Sequence, residues 1–314
     1  MKTESIEYQD GDLVLRGFLA YDDTQSGRRP GVLVMPGGFG LGANAKSRAE
    51  KLARLGYVAL VGDPYGDGIE VDDLKEVMKL VTGLRTDAAK FYRRVQVALE
   101  RLNSLPQADP DRIAAIGYCL GGTFVLELAR HGAPLKGVVT FHGGLETKNP
   151  APPGQVKAKL LILTGADDPT VPVAQVNAFA EEMTKAGADW QIVSYGGTKH
   201  AFTYPDAATR GIEWIEYNKM ADERSWKAMQ SFFGEVFGCT SLPNIDLSIA
   251  RGARISDGNT GADLDHRGVS LHRQYRRSRF GSIGPAAAWI SADAPHVAPS
   301  IARLGGGGFS RRGS

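Results

Sequence analysis

Apolar and polar positions repeat with two different periods along this chain, and the periods predict a series of strands and helices. Residues 5–21 alternate apolar with polar positions around Asp10-Gly11, which predicts a β-hairpin. From residue 30 onward, short apolar runs predict buried strands, and apolar residues three or four positions apart predict helices between them. The predicted strands cover residues 30–35, 57–61, 112–118, 136–141, 160–164 and 190–195. The predicted helices cover residues 44–56, 72–82, 85–103, 120–131, 173–187 and 222–237.

Strands that alternate with helices in this way predict an α/β fold, in which a mostly parallel central sheet carries helices on both faces. Ligands of such sheets bind at the carboxyl ends of the strands. The predicted strands are followed by the segments PGGFG, GDPYGDG, GYCLGG, FHGG, GADD and GGTKH. Turns at strand ends explain the glycines, but the cysteine, aspartates and histidines among them indicate chemistry.

The segment GYCLGG, residues 117–122, has the form Gly-x-nucleophile-x-Gly between a predicted strand and a predicted helix. In such a turn the glycines relieve crowding and the central side chain, here Cys119, projects outward. The N-terminus of the following helix favours a thiolate. Taken alone, the pattern also fits a small structural residue in a tight turn.

Two further residues decide between these interpretations. Asp168, in GADDPTVP, and His200, in GGTKHAF, each follow a predicted strand. The order cysteine, aspartate, histidine is that of nucleophile, acid and base in hydrolases with this turn. A histidine would take the thiol proton and later protonate the leaving group, while a carboxylate would hold the imidazole tautomer. We therefore expect a catalytic triad of Cys119, Asp168 and His200, with Asp167 as the alternative acid.

A thiol hydrolase also needs two backbone N–H groups to form an oxyanion hole. We expect them from Leu120, which follows the cysteine, and from Gly38, in the loop after the first parallel strand. Gly37 and Gly38 alternatively serve only the turn. His142, in FHGG, is interpreted as a pocket-lining or hydrogen-bonded core residue, because it precedes the position expected for the base.

Composition excludes several classes of function. The 314 residues are 42% hydrophobic and carry a net charge of +2, which does not suggest a nucleic-acid or membrane-surface protein. The N-terminus shows no signal-peptide pattern, and no apolar run reaches the roughly 18–20 residues of a membrane-spanning helix. Two cysteines, Cys119 and Cys239, are too few for a disulfide framework, so we expect a cytoplasmic protein. Redox sensing through these two cysteines is an alternative role.

The composition changes sharply near Gly238. Residues 240–314 contain ten Arg, five Asp and neither Lys nor Glu, so they carry +5 and leave −3 on the first 239 residues. This segment also lacks a sustained apolar period and any recognisable nucleic-acid-binding motif. We therefore predict a domain at residues 1–238 and an Arg/Gly/Ala/Ser-rich tail at residues 239–314, disordered or spurious rather than functional.

Residues 5–238 resemble the dienelactone hydrolase family of α/β-hydrolases. The resemblance rests on the segments GYCLGG, PGGFGLG, GDPYG, FHGGL, GADDPTVP, and KHAFTYPDA followed by ADERSW. It implies the α/β-hydrolase fold, the triad named above, no metal or organic cofactor, and hydrolysis of a small ester or lactone through a thioester. We expect a monomer or homodimer. The alternatives are a thioesterase or acyltransferase with the same triad, and a non-catalytic binding protein in which Cys119 is inert.

Two positions depart from the family members that act on dienelactone. Those enzymes carry a glutamate in the loop after the first parallel strand and an arginine after the next strand, where this chain has Gly37 and Asp67. An aspartate would repel a substrate carboxylate, so we expect a substrate other than dienelactone. A substrate-facing histidine or aromatic residue tunes selectivity in this family. The expected pocket residues are Phe39, Tyr65, His142 and Phe202.

Overall fold

The predicted strands join into a single sheet in a computed structural model, which describes residues 1–238 of the chain. The strands are β1 (Lys2–Asp10), β2 (Leu13–Tyr21), β3 (Arg29–Met35), β4 (Val58–Val61), β5 (Ala108–Tyr118), β6 (Gly137–Phe141), β7 (Lys159–Gly165) and β8 (Trp190–Tyr195). The helices are α1 (Ala43–Arg54), α2 (Leu74–Arg85), α3 (Ala88–Asn103), α4 (Leu120–Arg130), α5 (Val173–Ala186) and α6 (Lys219–Val236), with a 3₁₀ helix at Ala207–Arg210. The predicted tail, including Cys239, lies outside the described residues.

The strand order is β1-β2-β4-β3-β5-β6-β7-β8. All neighbouring pairs from β4 to β8 are parallel, whereas β1 pairs antiparallel with β2 and β2 with β4. Every residue of β4 and β6 is buried, as the continuous apolar runs of a two-sided parallel sheet require. The mostly parallel sheet with an N-terminal antiparallel hairpin is therefore confirmed.

Helices cover both faces of the sheet, also as predicted. Because successive strand residues face opposite sides, Leu33 and Val34 of β3 belong to two different apolar clusters. The cluster that contains Leu33 includes residues of α2, α3, α4 and α5, and the cluster that contains Val34 includes residues of α1 and α6. The carboxyl ends of the parallel strands are left at one edge, where their loops converge.

The structure differs most from the predicted elements in two places. β5 begins at Ala108 rather than at Arg112, because Ala108 and Asp109 pair with Arg29 and Pro30 at the start of β3, before a register shift. Residues 201–218, for which no element was predicted, contain the 3₁₀ helix and an isolated bridge between His200 and Ile215. The β5 extension and the bridge depend on pairing with other segments of the chain, which a local period does not report.

Candidate active site

Cys119 lies in the turn between β5 and α4, at φ 52° and ψ −117°. This left-handed conformation is rare outside glycine and marks a strained backbone. The Cys119 N–H donates to the Phe141 carbonyl over 3.0 Å, and the Cys119 carbonyl accepts from Gly122 N–H over 3.0 Å. A Cβ on Gly121 would overlap the Met35 carbonyl oxygen, so glycine is needed where the turn approaches β3. The turn leaves the Cys119 side chain partly exposed at the sheet edge.

His200 follows β8 and its Nδ1 lies 2.7 Å from Oδ2 of Asp168, which follows β7. Both side chains are buried, whereas Asp167 is exposed. Thr170 joins the pair: its Oγ1 lies 2.9 Å from His200 Nδ1 and donates to Asp168 Oδ1 over 2.7 Å. The structure thus brings Asp168, not Asp167, against His200. Sequence reasoning missed Thr170, although a threonine two residues after an aspartate is a common turn signal.

The charges of these groups are strongly coupled. Burial alone would raise the pKa of the Cys119 thiol, but the His200 charge and ring hydrogen bond, with the backbone N–H groups of Leu120 and Gly38, lower it. Burial alone would lower the pKa of His200, but the negative charges of Cys119 and Asp168 raise it. The arrangement therefore favours a thiolate beside an imidazolium before any substrate arrives.

The N–H groups of Gly38 and Leu120 are both hydrogen-bonded to the Cys119 sulfur. Gly40 N–H donates to the Gly37 carbonyl over 3.0 Å, and that carbonyl shares its peptide group with the Gly38 N–H. The tight turn therefore directs the Gly38 N–H away from Gly40 and toward the sulfur. Tyr65 Oη secures the next peptide by donating to the Gly38 carbonyl over 2.7 Å. The two predicted oxyanion donors are thus directed at the same acceptor, the Cys119 sulfur.

His142 and Phe202 lie beneath the site rather than at its opening, since neither side chain has exposed surface. The His142 ring contacts His200 and Phe202 edge-on, at centroid distances of 5.0 and 5.1 Å. His142 Nε2 lies 2.8 Å from Thr203 Oγ1. Burial holds the pKa of His142 well below its ordinary value, so the ring is neutral. Of the four predicted pocket residues, these two support the loop that carries His200.

A buried ion pair anchors the same loop from the face of the sheet that α1 and α6 cover. Arg48 of α1 donates to Asp222 of α6 over 2.8 Å and to the Thr203 carbonyl over 2.7 Å. The Arg48 and Asp222 side chains are 4% and 11% exposed. The guanidinium also lies over the rings of Tyr118 and Trp226, at 5.7 and 5.6 Å. These contacts connect α1 and α6 to the turn directly after His200.

The other two predicted pocket residues, Phe39 and Tyr65, are partly exposed at the edge of the site. Arg210 lies over the Phe39 ring, 3.9 Å from its centroid, and pairs with Asp72 and Asp206 over 3.1 and 2.8 Å. This contact joins the loop after β3 to the loop after β8. It was not predicted, because the residues involved are far apart in the chain.

Two kinds of feature are absent from residues 1–238. No three or more His, Cys, Asp or Glu side chains are grouped there so that they could hold a metal ion. None of the helices in this range combines the length and apolar character needed to cross a bilayer.

Comparison with known proteins identifies the family. The sequence model of the dienelactone hydrolase family matches residues 15–237. The chain belongs to this family. A Bradyrhizobium protein described as a probable 2-oxo-3-(5-oxofuran-2-ylidene)propanoate lactonase is 31% identical to this family member over 216 residues, 64% of this chain and 86% of that protein.

Solved structures agree with the family assignment. A dienelactone hydrolase-like promiscuous phosphotriesterase from metagenomic libraries is 39% identical, with a TM-score of 0.72 over 75% of this chain and 98% of that one. A Thermogutta terrifontis esterase is only 18% identical, with a TM-score of 0.57, and shares the fold alone. This dienelactone hydrolase family member therefore has an α/β-hydrolase fold and is a hydrolase of carboxylic esters or lactones.

Proposed function

We propose that this protein hydrolyses small carboxylic esters or lactones with Cys119 as nucleophile, His200 as acid and base, and Asp168 as the group that orients the imidazole. One observation carries the proposal. The Cys119 sulfur is hydrogen-bonded to His200 and two backbone N–H groups, while the other side of the imidazole bonds Asp168 over 2.7 Å. This is the geometry that nucleophile, base and orienting acid require.

In the first step the Cys119 thiolate attacks the substrate carbonyl carbon, and an S–C bond forms as the π electrons move to the carbonyl oxygen. The N–H groups of Gly38 and Leu120 stabilise that oxyanion. Since His200 Nδ1 is bonded to Asp168, Nε2 is the nitrogen that faces the reaction. As the C–O bond breaks, His200 Nε2–H gives its proton to the departing alkoxide, leaving a thioester.

In the second step His200, now neutral, takes a proton from water, and the water oxygen attacks the thioester carbon. The C–S bond breaks, the thiolate returns, and the carboxylic acid product leaves. Throughout, Asp168 holds the imidazole and stabilises its positive charge without taking the proton itself. Because a thiolate is itself a good leaving group, lactones and esters with readily departing alcohols suit this site.

The substrate is proposed to bind without a carboxylate clamp. Asp67, at the position where related enzymes have an arginine, has a side chain that is 63% exposed and pairs with Arg16 over 2.8 Å. Gly37, at the position of the family glutamate, contributes no side chain. The proposal therefore favours neutral esters and lactones over dienelactone, in a cytoplasmic monomer or homodimer. A thioesterase or acyltransferase reaction would use the same first step.

A second candidate reaction is hydrolysis of phosphotriesters. The observation that favours it is the 39% identity with a protein described as a promiscuous phosphotriesterase. Here the Cys119 thiolate would attack phosphorus, an S–P bond would form, and the aryloxide would leave. Water would then release the phosphodiester and restore the thiolate.

The proposal is tested by hydrolysis of p-nitrophenyl acetate, a neutral lactone and paraoxon by the purified full chain. Cys119→Ala should abolish turnover of every substrate that the wild type cleaves, and a trapped acyl group should be found by mass spectrometry on the peptide that contains Cys119. Cys239→Ala, which removes the chain's other cysteine, is the matched control and should retain activity. Undiminished turnover by folded Cys119→Ala would refute the assignment of the nucleophile.

A further inference from the structure

A hydroxyl group fills the space next to the nucleophile where this chain lacks a side chain. A Cβ built on Gly37 would lie 2.7 Å from Tyr204 Oη and 3.3 Å from Cys119 Cβ. Tyr204 Oη and Cys119 Cβ are therefore no more than about 6 Å apart. The Tyr204 hydroxyl therefore stands beside Cys119, in the place that the side chain of a residue at position 37 would enter.

The position of Tyr204 is fixed by the turn that carries it. Its N–H donates to the Ala201 carbonyl over 2.9 Å, and Ala201 itself adopts a left-handed φ of 55°. The preceding residue, Thr203, is held at its carbonyl by Arg48 over 2.7 Å and at its hydroxyl by His142 over 2.8 Å. The Tyr204 ring is half-buried between two apolar clusters. These contacts hold the hydroxyl beside Cys119 before substrate binds.

The O–H group of Tyr204 is available to donate a hydrogen bond. Its oxygen accepts the Gly37 backbone N–H, and none of the described residues accepts the Tyr204 O–H proton. Burial, followed by the negative charge of Cys119, raises the pKa of Tyr204 above its ordinary value. The hydroxyl therefore keeps its proton at neutral pH.

We propose that Tyr204 is a further catalytic residue, whose O–H donates a hydrogen bond to the Cys119 sulfur when substrate occupies the oxyanion hole. The inference rests on the proposed role of Cys119 as nucleophile. In the free protein the sulfur is bonded to the N–H groups of Gly38 and Leu120. A substrate carbonyl oxygen needs those same two donors, so the sulfur loses both when substrate binds. Tyr204 supplies a replacement donor for the thiolate and again when it is expelled from the thioester.

This role differs from that of Tyr65, the other tyrosine beside the site. Tyr65 already donates its proton to the Gly38 carbonyl over 2.7 Å, so it holds the loop and has no proton to offer the sulfur. Tyr204 instead presents a neutral donor where dienelactone-cleaving relatives carry a carboxylate. A neutral donor stabilises the thiolate, whereas a carboxylate would repel it.

The test is Tyr204→Phe, which keeps the ring and removes only the hydroxyl. Tyr92→Phe is the matched control, because Tyr92 stacks on His131, which follows the C-terminal end of α4, whereas Cys119 precedes its N-terminal end. We expect kcat/KM for p-nitrophenyl acetate to fall about tenfold in Tyr204→Phe, mainly through kcat, because the donor acts in the transition states. The carbonyl of iodoacetamide competes for the same N–H groups. The apparent pKa for alkylation of Cys119 by this reagent should therefore rise by about one in Tyr204→Phe. This rise corresponds to about a tenfold loss of thiolate at pH values below that pKa.

A double-mutant cycle tests the geometry independently. Gly37→Ala should reduce kcat/KM in the wild-type background, because its Cβ would lie 2.7 Å from the Tyr204 oxygen. The same change should be milder in Tyr204→Phe, where that oxygen is gone, and the difference measures the coupling. Additive effects of the two substitutions would overturn the proposed contact.

The outcomes separate the two proposals. If the wild type is alkylated rapidly at Cys119 and Tyr204→Phe matches it in both pKa and kcat, the role of Tyr204 is overturned while the nucleophile stands. If Cys119 in the wild type reacts no faster than a free thiol, both proposals fail. A raised alkylation pKa and a lowered kcat in Tyr204→Phe, with Tyr92→Phe unchanged, support the inference.

Discussion

Replacing Arg48 with methionine should destabilise the protein by about 3–5 kcal/mol, the typical effect of breaking a buried ion pair from one side. The structure supports the upper part of this range. The substitution leaves the Asp222 carboxylate buried without its cation, and it removes the donor that holds the Thr203 carbonyl. The pair is almost inaccessible to water, with 4% and 11% of the two side chains exposed, so solvent replaces little of what is lost. Methionine preserves much of the side-chain volume, so the measured loss of stability reflects the missing charge rather than a new cavity.

Arg54→Met is the matched control on the same helix. Arg54 pairs with Glu50 over 3.3 Å, but its side chain is 59% exposed. An exposed pair of this kind contributes about 0.2–1 kcal/mol. Urea unfolding followed by circular dichroism measures both variants. If Arg48→Met and Arg54→Met lower the free energy of unfolding by the same small amount, the reasoning from burial is wrong.

The loss in Arg48→Met should also depend on pH. Burial raises the pKa of Asp222, and Arg48 opposes that shift, so the pKa rises further in the variant. A carboxyl whose pKa is higher in the folded than in the unfolded state destabilises the fold as pH rises through that interval. The deficit should therefore be largest at neutral pH and smallest below the ordinary Asp pKa of about 4. A deficit that is constant with pH would contradict the role given to Asp222.

Three further predictions concern the site. Asp168→Asn should lower kcat/KM at least about a hundredfold by releasing the imidazole tautomer, while Asp167→Asn on the exposed neighbour should stay near wild type; equal effects would show that the acid is misassigned. Gly121→Ala should cost about 1–3 kcal/mol in urea unfolding, since its Cβ would overlap a backbone oxygen of β3. Alkylation of Cys119 should stay fast well below the ordinary thiol pKa of about 8.5, because the folded protein lowers that pKa; a rate that follows ordinary thiol titration would refute the thiolate.

The sheet and the strand-end positions of the site were predictable because both depend on local patterns. Continuous apolar runs report strands buried on two faces, and parallel strands bring their carboxyl ends to one edge. Cys119, Asp168 and His200 each follow such a run, so their proximity followed from the topology. Of the two neighbouring aspartates, Asp168 is the one that contacts His200, and its role as the acid stays a prediction.

The residues that hold the site in place were not predictable in this way. Arg48 reads as one more charge on an amphipathic helix, yet it is buried against residues more than 150 positions later. Tyr204 reads as a loop aromatic, and only the folded backbone reveals that it fills the space beside Gly37. His142 was expected either to line the pocket or to be a hydrogen-bonded core residue, and it is buried with a hydrogen bond to Thr203. Such contacts arise from three-dimensional packing and leave no period in the sequence.

The contact between Arg48 and the turn after His200 has a consequence for protein synthesis. Its partners Thr203 and Asp222 follow Arg48 by 155 and 174 residues, so they leave the ribosome long after it. Chains leave the ribosome N-terminus first. The residues of the turn that carries Cys119 are therefore synthesised well before the imidazole of His200 can be anchored. Because His200 lowers the pKa of the Cys119 thiol in the folded protein, we expect that pKa to stay near its ordinary value on the nascent chain. The lowered thiol pKa is therefore expected only after α6 has docked, so that the reactive form of Cys119 arises late in folding.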